Sequence, residues 1–142
     1  MAVKKIVLAF EGSEGSKKAL EWALEFAKQS QAEIHVVTIL ESVGMISLEP
    51  TSQLIDMENI REQYLQQLNE STAKLCDGYS CTVRTKVLEG NAADELINYA
   101  KQQHADLLVC GTRGLGNFTS LLLGSVAHKL VTYADMPVLV VK

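Results

Sequence analysis

Apolar runs and amphipathic segments alternate along this chain. Ile6–Phe10 is continuously apolar, the pattern of a strand covered on both faces. Glu11–Ser16 is a Gly/Ser turn in which Ser13 is placed to cap a helix. Ala19, Leu20, Ala23, Leu24 and Ala27 then recur at helical spacing, opposite Lys17, Lys18, Glu21, Glu25 and Lys28. Ile34–Leu40 is a second apolar strand rich in β-branched residues, and Glu41–Pro50, without a clear period, reads as a mobile connector. Met57, Ile60, Tyr64, Leu68 and Leu75 predict one long helix ending near Asp77-Gly78. Cys81–Leu88 alternates: Cys81, Val83, Thr85 and Val87 share one face, and Thr82, Arg84 and Lys86 share the other. Charge on one face suits an outer strand. Asn91 followed by Asp94 has the form of a capping box for a helix carried by Ala93, Leu96, Ile97 and Ala100. Asp106–Cys110 is a fourth strand, Val126–Tyr133 a helix, and Val138–Val141, after Pro137, a fifth strand.

Five strands separated by four helices predict an α/β fold: a single open, mostly parallel five-stranded sheet with helices on both faces, spanning residues 1–142 as one domain. Right-handed crossovers and the outer character of Cys81–Leu88 favour the strand order 3-2-1-4-5. The switch point then lies between strands one and four, so Glu11–Ser13 and Gly111–Gly116 meet at its mouth, where such sheets bind ligands. Val138–Val141 is apolar on both faces yet sits at a sheet edge. A bare apolar edge aggregates, so a two-fold homodimer through this strand is expected, the alternative being that the helices alone cover it.

Composition narrows the partners. The 142 residues carry a net charge of −4, with no basic cluster longer than Lys4-Lys5 or Lys17-Lys18, which argues against nucleic acid. No apolar stretch approaches a membrane span and no signal-peptide pattern opens the chain, so a soluble cytoplasmic protein without a membrane partner is expected. The three cysteines form no metal-type pair, and Cys110, inside an apolar strand, is expected as a buried free thiol.

The candidate chemistry lies in Gly111-Thr-Arg-Gly-Leu-Gly-Asn-Phe-Thr-Ser-Leu-Leu-Leu-Gly-Ser125. Gly111, Gly114, Gly116 and Gly124 permit tight conformations that aim successive amides inward, a nest for phosphate. Thr112 and Ser125 add hydroxyl donors, and Gly124-Ser125-Val126 opens a helix whose positive end faces the anion. Arg113 either supplies charge or points to solvent. A glycine turn that serves only the fold is the alternative. His35, His104 and His128 lie apart and read as structural residues, and Trp22 and Phe26, four apart, read as packing residues. HExxH, CxxC, Gly-x-Ser-x-Gly and the Walker pattern are absent, so no catalytic residue is assigned. Ser13, Ser16, Thr119 and Ser120 are the hydroxyls that a slow self-phosphorylation would use.

The spacing Gly111, two residues, Gly114, nine residues, Gly124, Ser125 resembles the signature of the universal stress protein family. The likeness extends from Ile6–Phe10 and the Gly12-Ser13-Glu14-x-Ser16 turn to Met136-Pro-Val-Leu-Val-Val-Lys142. It implies the adenine nucleotide alpha hydrolase-like fold and the ATP-binding subgroup, whose members carry Gly-x2-Gly-x9-Gly-Ser/Thr. The ligand implied is ATP, or ADP or AMP, with Mg2+. By resemblance, Gly111, Thr112, Arg113, Gly114, Gly124, Ser125 and Val126 line the phosphates and ribose. The Ile39 backbone meets the adenine edge, and Ala9 and Phe10 sit beside the base. The family usually has Asp after the first strand, bound to the ribose hydroxyls. This chain has Glu11, one methylene longer, which is either a displaced ribose ligand or a solvated turn residue. The reading that follows is a nucleotide-binding stress regulator or sensor. Its alternatives are a slow ATPase or autophosphorylating protein, and a dimeric scaffold without nucleotide.

Overall fold

Five runs of branched and apolar residues pair side by side, the first four each followed by a segment of helical period that crosses back over the sheet. The computed structural model describes residues 2–41, 50–112 and 123–142, with side chains for all of these except 50–56. Its elements are β1 (Lys5–Ala9), α1 (Glu14–Ser30), β2 (Glu33–Leu40), α2 (Pro50–Leu75), β3 (Val83–Glu89), α3 (Ala92–Gln102), β4 (Leu107–Gly111), α4 (Ser125–Tyr133) and β5 (Val138–Val141). All four pairings are parallel and the order is β3-β2-β1-β4-β5, as the sequence predicts.

Alternation along the strands divides the core into two layers. Ile6, Leu8, Ile34, Val36, Val87, Val109 and Val141 face α1 and α2. Val7, Ala9, Val37, Leu108 and Cys110 face α3 and α4. The three alanines Ala19, Ala23 and Ala27 let α1 lie close to the sheet, and Leu20 and Leu24 between them are fully buried. Each of those leucines contributes roughly 2 kcal/mol by leaving water. Ser13 caps α1 as expected, its Oγ accepting from the Ser16 amide at 3.1 Å. Asn91 caps α3, its Oδ1 accepting from the Asp94 amide at 3.2 Å.

The differences from the sequence reading have simple causes. α2 begins at Pro50, before the first apolar marker Met57, because proline's fixed φ suits the first helical position. Of the expected connector Glu41–Pro50, residues 42–49 lie outside the described residues. Phe10 falls just past β1, although its amide still donates to the Val37 carbonyl at 2.9 Å. Cys81 precedes β3 rather than opening it. Trp22 is not a packing residue: it is 56% exposed, whereas Phe26 packs on the core. Four residues apart, the two side chains differ by about 40° around the helix, which takes Trp22 beyond the buried stripe. No helix among the described residues is long and apolar enough to cross a membrane.

His35 is one of two buried polar residues of β2, with Thr38, and both of its ring nitrogens are partnered. Its Nδ1 lies 2.7 Å from the Tyr99 hydroxyl and its Nε2 lies 2.5 Å from Glu33 Oε1. Arg84 Nε donates to the same carboxylate oxygen at 2.9 Å. The structural reading of this histidine holds. The hydrogen bond from His35, assisted by Arg84, holds the Glu33 carboxyl below the usual carboxylate range, while burial raises the Tyr99 hydroxyl. A carboxyl lowered by folding contributes stability that is complete above its unfolded value and is lost as pH falls through the folded one. Glu33→Gln is therefore expected to cost about 1 kcal/mol near neutrality, modest because the pair is partly solvated. Urea melts of both proteins at several pH values should show the difference closing below about pH 4. A constant difference across that range would mean that the carboxylate charge is irrelevant.

Candidate functional site

β1 and β4 are neighbours, but their following helices leave toward opposite faces, so the backbone parts at the carboxyl ends of these two strands. One lip of that opening is the turn Phe10–Ser13. Gly12 sits there at φ +90° with open space where a side chain would stand, and its amide donates to Ser16 Oγ at 3.2 Å. Ser16 Oγ in turn donates to the Ser13 carbonyl at 2.9 Å and is buried. Glu11 is exposed, and its carboxylate accepts a hydrogen bond from the Ser13 hydroxyl. Its charge still reaches β4, where burial first and Glu11 second push the Cys110 thiol up to about 11. Cys110 is thus the buried free thiol expected from sequence.

The other lip is the end of β4 with the start of α4. A Cβ built on Gly111 would stand 3.0 Å from the Gly15 carbonyl carbon and 3.1 Å from its oxygen. The first turn of α1 therefore rests directly on the end of β4, while residues 113–116 of the second expected turn lie outside the described residues. The Thr112 amide donates to the Val141 carbonyl at 3.2 Å, and the Thr112 carbonyl accepts from the Gly124 amide at 2.6 Å. That second bond brings the amino end of α4 to the end of β4. Gly124 is the N-cap residue and offers no side-chain cap. The first intrahelical bond comes from His128, so the amides of Ser125, Val126 and Ala127 have no acceptor within the helix. These donors and the helix dipole make the α4 terminus attractive to an anion.

The third wall is β2. The ladder from β1 ends where Phe10 donates to Val37, and the Phe10 carbonyl accepts from Thr38 Oγ1 at 2.6 Å. In a parallel strand, alternate residues point their amide and carbonyl to the same side. The Ile39 backbone thus faces the same side as that of Val37, toward the space that β1 has left when it turns into α1. A planar heterocycle edge with one donor and one acceptor matches such a free strand segment.

Of the residues singled out from sequence, Ala9, Phe10, Glu11, Ile39, Gly111, Thr112, Gly124, Ser125 and Val126 all belong to the ends of β1, β2 and β4 or to the start of α4. Ala9 and Phe10 are buried and Ser125 is exposed. Arg113, Gly114 and Gly116 lie outside the described residues, as do Thr119 and Ser120. Sequence reasoning missed Gly15 and Thr38 as parts of the frame. A hydroxyl in the middle of the apolar run Ile34–Leu40 was the available signal for Thr38. Among the described residues, no group of three or more His, Cys, Asp or Glu is placed to hold a metal.

The family model described as the universal stress protein family matches residues 2–142. A universal stress protein of Methanocaldococcus jannaschii, MJ0531, is 31% identical over 139 residues, covering 98% of this chain and 82% of that protein. Among solved structures, the hypothetical protein MJ0577 superposes with a TM-score of 0.87 at 23% identity, covering 100% of this chain and 97% of that one. A universal stress protein crystallised in complex with cAMP superposes at 0.69 with 25% identity, covering 99% and 98% of the two chains.

The contact between Gly111 and Gly15 is backbone on backbone, so neither side can relieve it by rotating a side chain. Gly111→Ala is expected to cost about 1–3 kcal/mol in a denaturant melt, as over-packing does. An unchanged midpoint would show that α1 does not bear on β4 as described.

Proposed function

This chain belongs to the universal stress protein family, and we propose that within it the chain is an ATP-binding module, acting in the cytoplasm as a homodimeric stress-response regulator or sensor. The observation that carries this reading is the bond from Gly124 to Thr112, which presents the uncapped start of α4 to the mouth between β1 and β4. Phosphates bind at Ser125–Val126 and along the glycine loop, including Arg113, Gly114 and Gly116. Adenine lies against Ala9 and Phe10 with its edge on the Ile39 backbone, and Thr112 and Gly111 floor the ribose side. Glu11 reaches the sugar only by leaving Ser13. Mg2+ arrives on the phosphate oxygens. The complex of a relative with cAMP supports an adenine nucleotide as the ligand class.

Homodimerisation through β5 is part of the proposal. β5 is the outer strand, and its Val138, Leu139 and Val140 are only half-buried. Val131 and Tyr133 on the neighbouring helix α4 are 52% and 69% exposed. A second copy would cover both. Sedimentation velocity at micromolar concentration is expected to give the dimer mass, and a monomer at every concentration would remove this part of the reading.

Nucleotide binding is tested by thermal unfolding with and without Mg-ATP. At about 100 times Kd the ligand should add roughly 2.7 kcal/mol, a shift of several degrees at this chain length. Gly124→Asp supplies the control. Gly124 sits at φ −62°, ψ 162°, a conformation that aspartate adopts readily, and aspartate is a favoured N-cap. The variant should fold, while its carboxylate occupies and repels the place of the phosphates, so the ATP shift disappears. No shift in the parent protein leaves the scaffold reading. An equal shift in both proteins places the nucleotide elsewhere.

A further inference from the structure

Two cysteines flank the chain reversal between α2 and β3. The Cys76 amide still donates to the Thr72 carbonyl at 2.8 Å, so Cys76 continues the last turn of α2. The Tyr79 amide then donates back to the Cys76 carbonyl at 3.0 Å, closing a turn around Gly78, whose φ is +87°. Tyr79 is fixed from outside, its hydroxyl donating to Glu25 Oε1 of α1 at 2.6 Å. The Thr82 carbonyl accepts from the Ile34 amide at 2.9 Å, which pins the outgoing chain to β2. Both ends of the reversal are therefore held.

Cys76 and Cys81 are free, half-buried thiols that pack on the same core cluster from the two arms of this turn. The Tyr79 bond to the Cys76 carbonyl returns the chain toward Cys76 two residues before Cys81, and burial raises the Cys76 thiol, with Cys81 adding to it. Cys81 also lines a cleft of about 300 Å³ between the end of α1 and residues 78–82, with Ala27, Lys28, Gln31, Tyr79 and Thr82. A small oxidant can reach one sulfur from that cleft, and the second sulfur lies on the turn's other arm. Cys110 belongs to the opposite core layer.

We propose that Cys76 and Cys81 form an oxidative modification site, converted by a hydroperoxide into an intramolecular disulfide across the turn. The Cys81 sulfur attacks the peroxide. The O–O bond breaks, the distal oxygen stays on sulfur as a sulfenic acid, and the remainder leaves as alcohol, or as water from hydrogen peroxide. The Cys76 sulfur then attacks Cys81, forming the S–S bond as the sulfenic oxygen departs as water with the thiol proton. Two thiols and one hydroperoxide give one disulfide, one alcohol and one water, with the thiols oxidised by two electrons and the peroxide reduced by two. Burial holds both thiols above their ordinary range, so the reaction calls for an excess of peroxide rather than traces. The product ties the end of α2 to the lead-in of β3, and it stands independently of any nucleotide.

The test treats the folded protein with hydrogen peroxide, alkylates the remaining thiols, and maps peptides by mass spectrometry without reduction. The expected product is a Cys76–Cys81 link with a loss of about 2 Da, reversed by dithiothreitol, while Cys110 stays alkylatable after unfolding. In Cys76→Ser, which removes only the resolving sulfur, Cys81 should instead carry sulfinic acid. Sulfinic acid at Cys81 in the parent protein, links formed only between chains, or thiols left intact under a large excess of peroxide would each overturn the assignment.

Discussion

The close approach of α1 to the end of β4 is the constraint on which the rest of the site depends. Gly15 and Gly111 lie so close that a Cβ at Gly111 would stand 3.0 Å from the Gly15 carbonyl carbon, and the backbone would have to give by a few tenths of an ångström. That contact fixes where the Phe10–Ser13 turn must lie, because α1 cannot lift away without losing the burial of Ala19, Leu20, Ala23 and Leu24. It also sets the height of β4 relative to β1, and so the width of the mouth. The Thr112 carbonyl then draws the Gly124 amide to the same place. Two glycine positions and one backbone bond thus bring three elements that are distant in sequence to one opening.

The two ends of the sheet treat polar groups in opposite ways. Around the start of β2, His35 is bonded to Glu33 and to Tyr99 of α3 while Arg84 of β3 joins the same carboxylate, and among the described residues no buried side-chain polar atom is left without a partner. This network holds the buried imidazole rigidly, and only the exposed Arg84 guanidinium keeps N–H groups facing solvent. At the carboxyl ends the backbone is left open: the ladder between β1 and β2 stops at Val37, and α4 starts without a side-chain cap. A fold that satisfies its polar groups this thoroughly elsewhere concentrates its free donors where a ligand can use them.

Much of this was legible in the sequence, and the exceptions share a cause. Ile6–Phe10 and Ile34–Leu40 read as strands because burial on both faces demands unbroken apolar runs. Ser13 and Asn91 read as caps because a side-chain acceptor before a helical period has one clear use. The strand order followed from crossover handedness and the charged face of Arg84 and Lys86, and the structure has that order. Helix periodicity alone could not place Trp22, since 40° of rotation separates a core residue from an exposed one. Nor could it find the start of α2, where Pro50 rather than an apolar residue marks the first turn. The turn of Cys76 back toward Cys81 was also hidden, because local spacing says nothing of how tightly a reversal closes.

Glu11 shows how a one-methylene difference acts through local geometry. Its carboxylate leans back onto the Ser13 hydroxyl, and the same Ser13 oxygen accepts from the Ser16 amide at the start of α1. A negative charge held there is favoured by the helix dipole, by about 0.3–1 kcal/mol at an exposed site. To contact a sugar hydroxyl, Glu11 must give up both that field and the Ser13 bond, so the new contact is worth only its excess over what is lost. The shorter aspartate side chain would have less reach back to Ser13, and the two residues would differ in which contact they keep. Glu11 thus supports the α1 start through Ser13. Removing the Ser13 hydroxyl would weaken the cap and free the Glu11 carboxylate at the same time.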